Sequence, residues 1–166
     1  FFFRSLHAKI NPVSVWKYTI PQGYESVLIP THDCDSRTAY DEMYWVSEYE
    51  KSLGMSAHYF LTVHYFRDAG YLSDFYNAGT KPKAQRLLVD GHTVGSHSIC
   101  HFPDFSKTEL FPATVVTKDA YAVSAHHDKT TGVTQGGSTW AELGLSKLII
   151  EEDLGNHVRS FRSGHL

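Results

Sequence analysis

The strongest constraint on the fold is an alternation of short apolar runs with longer amphipathic segments. The apolar runs lie at 26–30, 55–63, 93–97 and 158–161, and segments with helical spacing separate them. Short apolar runs bounded by turn residues are typical of buried strands, whereas a period near 3.6 residues indicates helices. Strands that alternate with helices in this way predict an α/β domain built on a parallel sheet or a partial barrel.

Three segments have the features of helices. The segments 40–53, 81–90 and 139–153 each have a glycine shortly after their end, and 81–90 has a proline in its first turn. Ser138 is expected to cap the third helix, with Glu142 near the position that a capping box uses. The stretch 102–138 has little pattern, and we expect it to form an extra loop.

Composition limits the class of protein. The 166 residues, of which 42% are hydrophobic, are enough for one globular domain with a core. The formal net charge of -3 argues against a general nucleic-acid binder, which usually presents a strongly basic face. No window approaches the roughly 18 to 20 apolar residues needed to cross a bilayer. We therefore expect neither a nucleic-acid partner nor a transmembrane segment in this chain.

The two ends of the sequence suggest how the domain is bounded. Residues 1–24 show little periodicity and are expected to form an N-terminal extension, so that the domain covers 25–166. The last residues have the pattern of a strand that enters a polar turn. We expect the sequence to be a segment of a longer protein, with the domain truncated at its C-terminus.

Two carboxylates follow the first predicted strand, at the sheet edge where parallel α/β proteins build their sites. Because alternate residues of an extended segment point the same way, Asp33 and Asp35 can face one cavity while Cys34 points away. Two nearby carboxylates suit a site in which one binds a cation and the other is a base. A solvated loop with a helix cap is the alternative interpretation of this segment.

Two histidines follow the third predicted strand. His97 and His101 have a spacing that, on a helix, places both imidazoles on one side, as metal binding requires. With the histidine content of this chain, about 0.7 such pairs are expected by chance, so the spacing alone is weak evidence. Their position directly after a strand is what favours a site.

Together these residues and Arg162, at the end of the last predicted strand, form a coherent centre. Asp35, His97 and His101 would give two nitrogens and one oxygen to a divalent metal and leave positions open for water and substrate. Asp33 would be the base beside the metal, and Arg162 would keep it ionised and oriented. Alone, Arg162 would be assigned to a surface salt bridge. The donor set favours zinc, while cobalt, nickel or iron would also fit.

These motifs resemble those of the NodB-homology polysaccharide deacetylases, carbohydrate esterase family four. The segment 31–35, Thr-His-Asp-Cys-Asp, resembles the family's Thr-Phe-Asp-Asp or Phe-Asp-x-Asp motif. The segment 91–101, Gly-His-Thr-Val-Gly-Ser-His-Ser-Ile-Cys-His, resembles Gly-His-x-Ile-Gly-x-His-Thr-x-x-His and is the most specific match. The segments 57–61 and 158–165 resemble the family's Ala-Thr-Phe-Phe strand and its Phe-Arg-x-Pro-Tyr motif. The resemblance extends over roughly 25–166.

The resemblance implies a fold, an activity and a set of roles. The fold is a distorted, incomplete (β/α) barrel, and the activity is metal-dependent removal of acetyl groups from a polysaccharide such as peptidoglycan, a chitin-like polymer or another hexosamine polymer. It implies that Asp33 is the catalytic base and Arg162 its partner. The metal ligands it implies are Asp35, His97 and His101.

Thr31 and His165 are expected at the substrate. By the resemblance, the backbone N–H of His165 would help to hold the oxyanion. The sequence departs from the family where His32 replaces phenylalanine and where Gly164 and His165 replace Pro-Tyr. The family's fourth and fifth motifs, the latter with a histidine that acts as general acid, have no counterpart before Leu166.

Other residues within or near these motifs are expected to be structural. Cys34 and Cys100 are too few for a disulfide scaffold and are expected to be buried thiols. A disulfide between them is possible only if the backbone brings them within about 7 Å. His92 is expected to be structural, since its counterpart in the family motif is not a metal ligand. His126 and His127 are expected in a surface loop, with a second metal site as the alternative.

Two other functions stay open. The chain could be a catalytically inactive deacetylase-like module that binds glycan or metal, or a metallohydrolase that acts on a small amide. The family analogy implies a polysaccharide partner and an extracytoplasmic location, which means secreted, periplasmic or in the cell envelope. The sequence contains no targeting signal of its own.

Overall fold

The computed structural model describes residues 20–21, 23–63, 78–104, 126–128 and 130–165. Within them the chain has a mixed α/β structure with a three-stranded parallel sheet and three α-helices. The strands of the sheet are β1 (Thr31–Cys34), β2 (His58–Leu61) and β3 (Thr93–Ser96). The helices are α1 (Arg37–Ser52), α2 (Lys81–Val89) and α3 (Ser146–Leu154). An antiparallel hairpin joins β4 (His126–Asp128) to β5 (Val133–Gln135), and a π-helical turn (Ala141–Leu145) leads into α3.

The sheet has the strand order β1-β2-β3, and its register aligns residues that later form the site. Asp33 of β1 lies opposite Phe60 of β2, which lies opposite Gly95 of β3. The predicted last strand extends the sheet by only one parallel bridge, between Ser96 and Phe161. Arg162 follows this bridge directly, and its backbone N–H donates to the carbonyl oxygen of Ser96 at 2.9 Å.

The α/β alternation is confirmed, but the first strand is not where the apolar run predicted it. Residues 26–30 have no regular secondary structure, and 26–29 are solvent-exposed, with Leu28 80% and Ile29 70% accessible. The strand instead covers Thr31–Cys34, because these residues pair with β2. Hydrophobicity marked the wrong residues here, since a strand forms where a neighbouring strand offers hydrogen-bond partners.

A partial barrel was expected, and the described residues form an open three-stranded sheet. No helix among them is long and apolar enough to cross a bilayer. The expected extension at 1–24 lies almost entirely outside the described residues, as does most of the stretch 102–138. His126 and His127, expected in a loop, belong to strand β4.

The helices begin and end where local hydrogen bonds allow. Helix α1 begins at Arg37, three residues before the predicted start, because the Ser36 hydroxyl accepts from the backbone N–H of Ala39 at 3.1 Å. Helix α3 ends at Gly155, as predicted. Its φ of 62° is left-handed, a conformation that glycine adopts without a Cβ clash.

The core lies between the helices and one face of the sheet. Alternate strand residues point to opposite faces, so Tyr59 and Leu61 are buried with the helices while Phe60 points to the other face. The helices contribute Tyr40, Met43, Leu87 and Ile150 to this core. The opposite face is left to Asp33, Phe60 and the residues that surround them.

A buried polar network ties α1 to this core. The Glu50 carboxylate accepts hydrogen bonds from the Tyr59 hydroxyl and from Nε2 of His32, each at 2.7 Å. His92 is buried beside it, with Nδ1 accepting from the backbone N–H of Ala57 and Nε2 donating to the carbonyl oxygen of Ser47, both at 3.1 Å. His92 therefore has the structural position that was expected.

Candidate metal centre

Three side chains from two separate segments of the chain converge at the carboxyl end of the sheet. Asp35 follows β1, and His97 and His101 follow β3. Their ligand atoms all lie within 4.8 Å of one another. The two Nε2 atoms are 3.2 Å apart, and a carboxylate oxygen of Asp35 lies 3.4 Å from Nε2 of His101. This cluster could hold a metal ion.

Two of the three separations in the cluster are compatible with a shared metal ion. In tetrahedral zinc sites the metal–ligand distances of about 2.0–2.1 Å put neighbouring ligand atoms about 3.3 Å apart. The observed 3.2 Å and 3.4 Å are close to that value. Two imidazole nitrogens and one carboxylate oxygen would leave a position for water or substrate, as catalytic sites require. The donor set therefore fits a divalent metal such as zinc.

The fold presents His97 in the form that binds metals. Its Nδ1 lies 2.9 Å from the carbonyl oxygen of Arg162, so Nδ1–H donates and Nε2 keeps its lone pair for the cluster. Burial lowers the pKa of His97, although the same hydrogen bond opposes that effect. The neutral imidazole is thus favoured. Its hydrogen is assigned to Nδ1 because the carbonyl oxygen of Arg162 can only accept a hydrogen bond.

Asp35 is held as the anion. Its pKa is lowered chiefly by the hydrogen bond with His101, which outweighs the opposing effect of burial. Either imidazole would lower the pKa further only when it is protonated. A carboxylate that stays ionised beside two imidazoles is the state that a cation requires.

The loop that carries the histidines is not the helix from which their spacing was interpreted. Ser98 and His101 have left-handed φ values of 73° and 57°, which no helix contains. The loop is anchored by its own hydrogen bonds, in which the N–H of Val63 donates to the Ser98 carbonyl at 3.1 Å and the N–H of His101 donates to the Ser98 hydroxyl at 3.0 Å. The two imidazoles meet because the chain folds back on itself.

Asp33 lies beside the cluster and is held by Arg162. One guanidinium nitrogen donates to Asp33 Oδ1 at 2.6 Å, and another donates to the Thr31 hydroxyl at 3.1 Å. The other carboxylate oxygen of Asp33 lies 3.9 Å from Nε2 of His97. The guanidinium stacks over the Phe60 ring, 4.2 Å from its centroid. Phe60 was not among the predicted site residues, although strand register places it opposite Asp33.

The turn after Arg162 covers His101. The imidazole rings of His165 and His101 have centroids 4.8 Å apart and planes at 74°. Gly164 packs so closely that a Cβ there would lie 2.6 Å from Cγ and Cδ2 of His101. The glycine that departs from the family pattern therefore makes room for a candidate metal ligand. The expected substrate contacts of Thr31 and His165 stay predictions.

Cys34 points away from the site, as alternation predicted. Burial raises the pKa of its thiol to about 12, and the charges of Asp35 and Asp33 add to that effect. Cys34 and Cys100 are both free and buried. A protonated thiol on the core side of the sheet is not available as a metal ligand.

Two features next to the histidine loop were not predicted. Glu142 does not have the capping-box role suggested by its spacing, because its Oε2 accepts from the backbone N–H groups of Ile99 and Cys100, each at 3.0 Å. The Asp104 carboxylate accepts from the N–H of Thr134 at 2.8 Å and so ties the β4–β5 hairpin to the residues just after His101. Neither contact has a local sequence signal, since each joins segments at least 30 residues apart.

Comparison with known proteins gives one similar structure. No protein-family model and no curated protein matches the chain. The chain is similar to the Streptococcus pyogenes deacetylase PplD in complex with acetate, with a TM-score of 0.47 and 14% sequence identity. The similarity covers 84% of this chain and 46% of that one, so the chain spans about half the length of that structure. A likeness at this level assigns neither a family nor an activity.

Proposed function

We propose that this chain is part of a metal-dependent hydrolase that removes acetyl groups from an N-acetylated polysaccharide. The observation that carries the proposal is the convergence of Asp35, His97 and His101 beside the carboxylate of Asp33. The motif resemblance supplies the substrate class, which is peptidoglycan, a chitin-like polymer or another hexosamine polymer. A secreted, periplasmic or cell-envelope location follows from that substrate and is part of the proposal.

Each residue of the centre has a distinct part in the proposed reaction. Asp35, His97 and His101 would hold the metal, with zinc as the expected ion. When bound, a divalent metal supplies Lewis acidity toward the acetyl carbonyl and toward water. Asp33, whose Oδ2 lies 3.9 Å from Nε2 of His97, would accept the proton of a water bound at this centre.

Arg162 would keep that base in one orientation. Its two nitrogens bind Asp33 and Thr31 at the same time, so the carboxylate is fixed on one side and open on the other. The guanidinium also packs against the face of the Phe60 ring. A base held in this way avoids the loss of rate that comes with a mobile catalytic group.

A catalytically inactive binding module is the second candidate. It is favoured by the segment that replaces the family's Pro-Tyr, because Gly164 and His165 both pack against His101. That packing changes the surface on which the oxyanion would be held. Such a module would bind metal or glycan and release no acetate.

Metal content tests the centre itself. We expect about one divalent metal for each purified chain by mass spectrometry, and none in the His97→Ala/His101→Ala variant. His157→Ala is the control, because its side chain is 80% exposed and belongs to no cluster of the site. Failure of the wild-type chain to take up zinc would contradict the proposal.

Acetate release then separates the two candidates. The assay uses the full-length protein and an N-acetylated polymer, with Asp33→Asn as the variant. A hydrolase is expected to lose about 10²- to 10⁴-fold in rate while it retains its metal. A wild type that binds metal and polymer without release of acetate would favour the binding module. Release from a small amide alone would favour another metallohydrolase.

A further inference from the structure

A fully buried carboxylate stands behind the histidine loop. Glu142 is 0% exposed, and its Oε2 accepts hydrogen bonds from the N–H groups of Ile99 and Cys100 at 3.0 Å each. Burial of a carboxylate is costly unless hydrogen bonds replace its hydration. Two backbone donors on consecutive residues offset part of this cost. These two hydrogen bonds therefore favour one conformation of the histidine loop.

The two amides lie at the point where the loop needs support. They are flanked by Ser98 and His101, whose left-handed φ values of 73° and 57° are unfavourable for residues with a Cβ. His97 and His101 stand at the two ends of this segment. A group that fixes the amides between them also fixes the separation of the two imidazoles.

The segment that carries Glu142 is itself anchored to the sheet. Ser138 caps its start by accepting from the N–H of Ala141 at 3.2 Å. The π-helical turn Ala141–Leu145 leads to Ser146, whose hydroxyl lies 2.6 Å from the hydroxyl of Ser96 at the end of β3. π-Helical turns are rare and often occur at functional sites. Glu142 is thus presented to the loop from an element that is hydrogen-bonded to the sheet.

We propose that Glu142 is a positioning residue that holds the loop between His97 and His101 and thereby sets the metal affinity of the centre. The effect on affinity rests on the proposed metal-dependent function, whereas the effect on the loop does not. Glu142 acts through the backbone of Ile99 and Cys100 and makes no contact with the substrate in this role. Loss of hydrogen bonds that orient metal ligands commonly changes metal affinity by about 10- to 100-fold, and we expect an effect of the same order here.

The test compares Glu142→Ala, Glu142→Gln and the control Glu152→Gln, in which the replaced side chain is exposed on α3. Amide hydrogen exchange of Ile99 and Cys100 is measured without metal. Zinc affinity is measured by competition with a chromophoric chelator, and the visible spectrum of the cobalt-loaded protein reports ligand geometry. Far-UV circular dichroism verifies that each variant is folded.

We expect the alanine variant to exchange both amides about 10- to 100-fold faster and to bind zinc about 10- to 100-fold more weakly, with an altered cobalt spectrum. The glutamine variant should recover most of the affinity, because its amide oxygen can accept from the same two donors. The glutamine variant also tests the proposal if the alanine variant does not fold. In that case the glutamine variant itself should show slightly faster amide exchange and slightly weaker zinc binding than the wild type.

Two results would overturn the inference. A folded alanine variant with wild-type exchange at Ile99 and Cys100 would show that the carboxylate does not hold the loop. Unchanged zinc affinity together with faster exchange would show that the loop does not set the affinity. Failure of the wild type to bind zinc, with the exchange difference still present, would instead refute the proposed function and leave the positioning of the loop supported.

Discussion

Replacement of Gly164 by alanine provides a test of the candidate centre that removes none of its ligands. Gly164 packs on the imidazole of His101, and a Cβ at this position would lie 2.6 Å from two of its ring carbons. Ordinary contacts of a Cβ begin at 3.4 Å. His101 is 4% exposed and is flanked by the rings of His97 and His165, so it has little room to yield.

The size of the effect follows from this overlap. The alanine requires about 0.8 Å of movement in the ring or in the turn, whereas metal–ligand distances in a working site vary by about 0.2 Å. We expect zinc affinity to fall by about 10- to 100-fold, as it does when the support of a ligand is disturbed. This corresponds to about 1.4–2.7 kcal/mol of binding free energy.

The assay is a zinc titration against a chromophoric chelator, with thermal unfolding recorded for the metal-free protein. Gly144→Ala is the matched control, because a Cβ there would meet the Trp140 ring at an ordinary 3.5 Å. The control should bind zinc like the wild type. A folded Gly164→Ala variant with wild-type zinc affinity would refute the reasoning, since His101 would then not be a ligand in the observed position.

Three further predictions concern the face around the site and the helix packing. Gly95→Ala is expected to lower the free energy of unfolding by about 1–3 kcal/mol in urea denaturation, because a Cβ there would lie 2.5 Å from two side-chain atoms of neighbouring segments; an unchanged midpoint would contradict this. Arg162→Lys keeps the charge but loses the two-point hold near Asp33, so acetate release should fall about 10- to 100-fold with metal content unchanged; a wild-type rate would count against the proposed orientation. Asp90→Asn is expected to destabilise the protein at pH 7, because the hydrogen bond from Arg86 lowers the pKa of Asp90. The sign follows from linkage. A carboxyl group whose pKa is lowered by folding stabilises the protein above its ordinary pKa near 4, and this stability is lost as the pH falls through the lowered pKa. The difference in stability between wild type and variant should therefore shrink below about pH 4. A difference that stays constant to pH 3 would contradict it.

Sequence patterns predicted the position of helix α2 more accurately than the position of the first strand. Helix α2 lies at Lys81–Val89 within one residue of the prediction, because a helix is determined by spacing and by end signals in its own segment. The first strand was misplaced onto 26–30, because its position depends on pairing with His58–Leu61. Sequence hydrophobicity does not contain that information, since strand pairing joins segments that are far apart in the chain.

The sequence by itself determined the donor types of the candidate site and their positions after the strands. Asp33, Asp35, His97, His101 and Arg162 could all be selected from local motifs, since metals and bases require particular side chains. Their roles stay predictions, but the structure brings all five to one edge of the sheet.

Only the tertiary structure decided how those residues are supported. The stacking of Arg162 on Phe60, the packing of Gly164 on His101 and the contact of Glu142 with the histidine loop each join positions about 40 to 100 residues apart or depend on such contacts. A local pattern assigned Glu142 to a capping box, because it lies four residues after Ser138. Its carboxyl group turns to the loop because parallel strand pairing and the packing of α3 bring the two segments together, and a buried polar group takes the donors that the fold supplies.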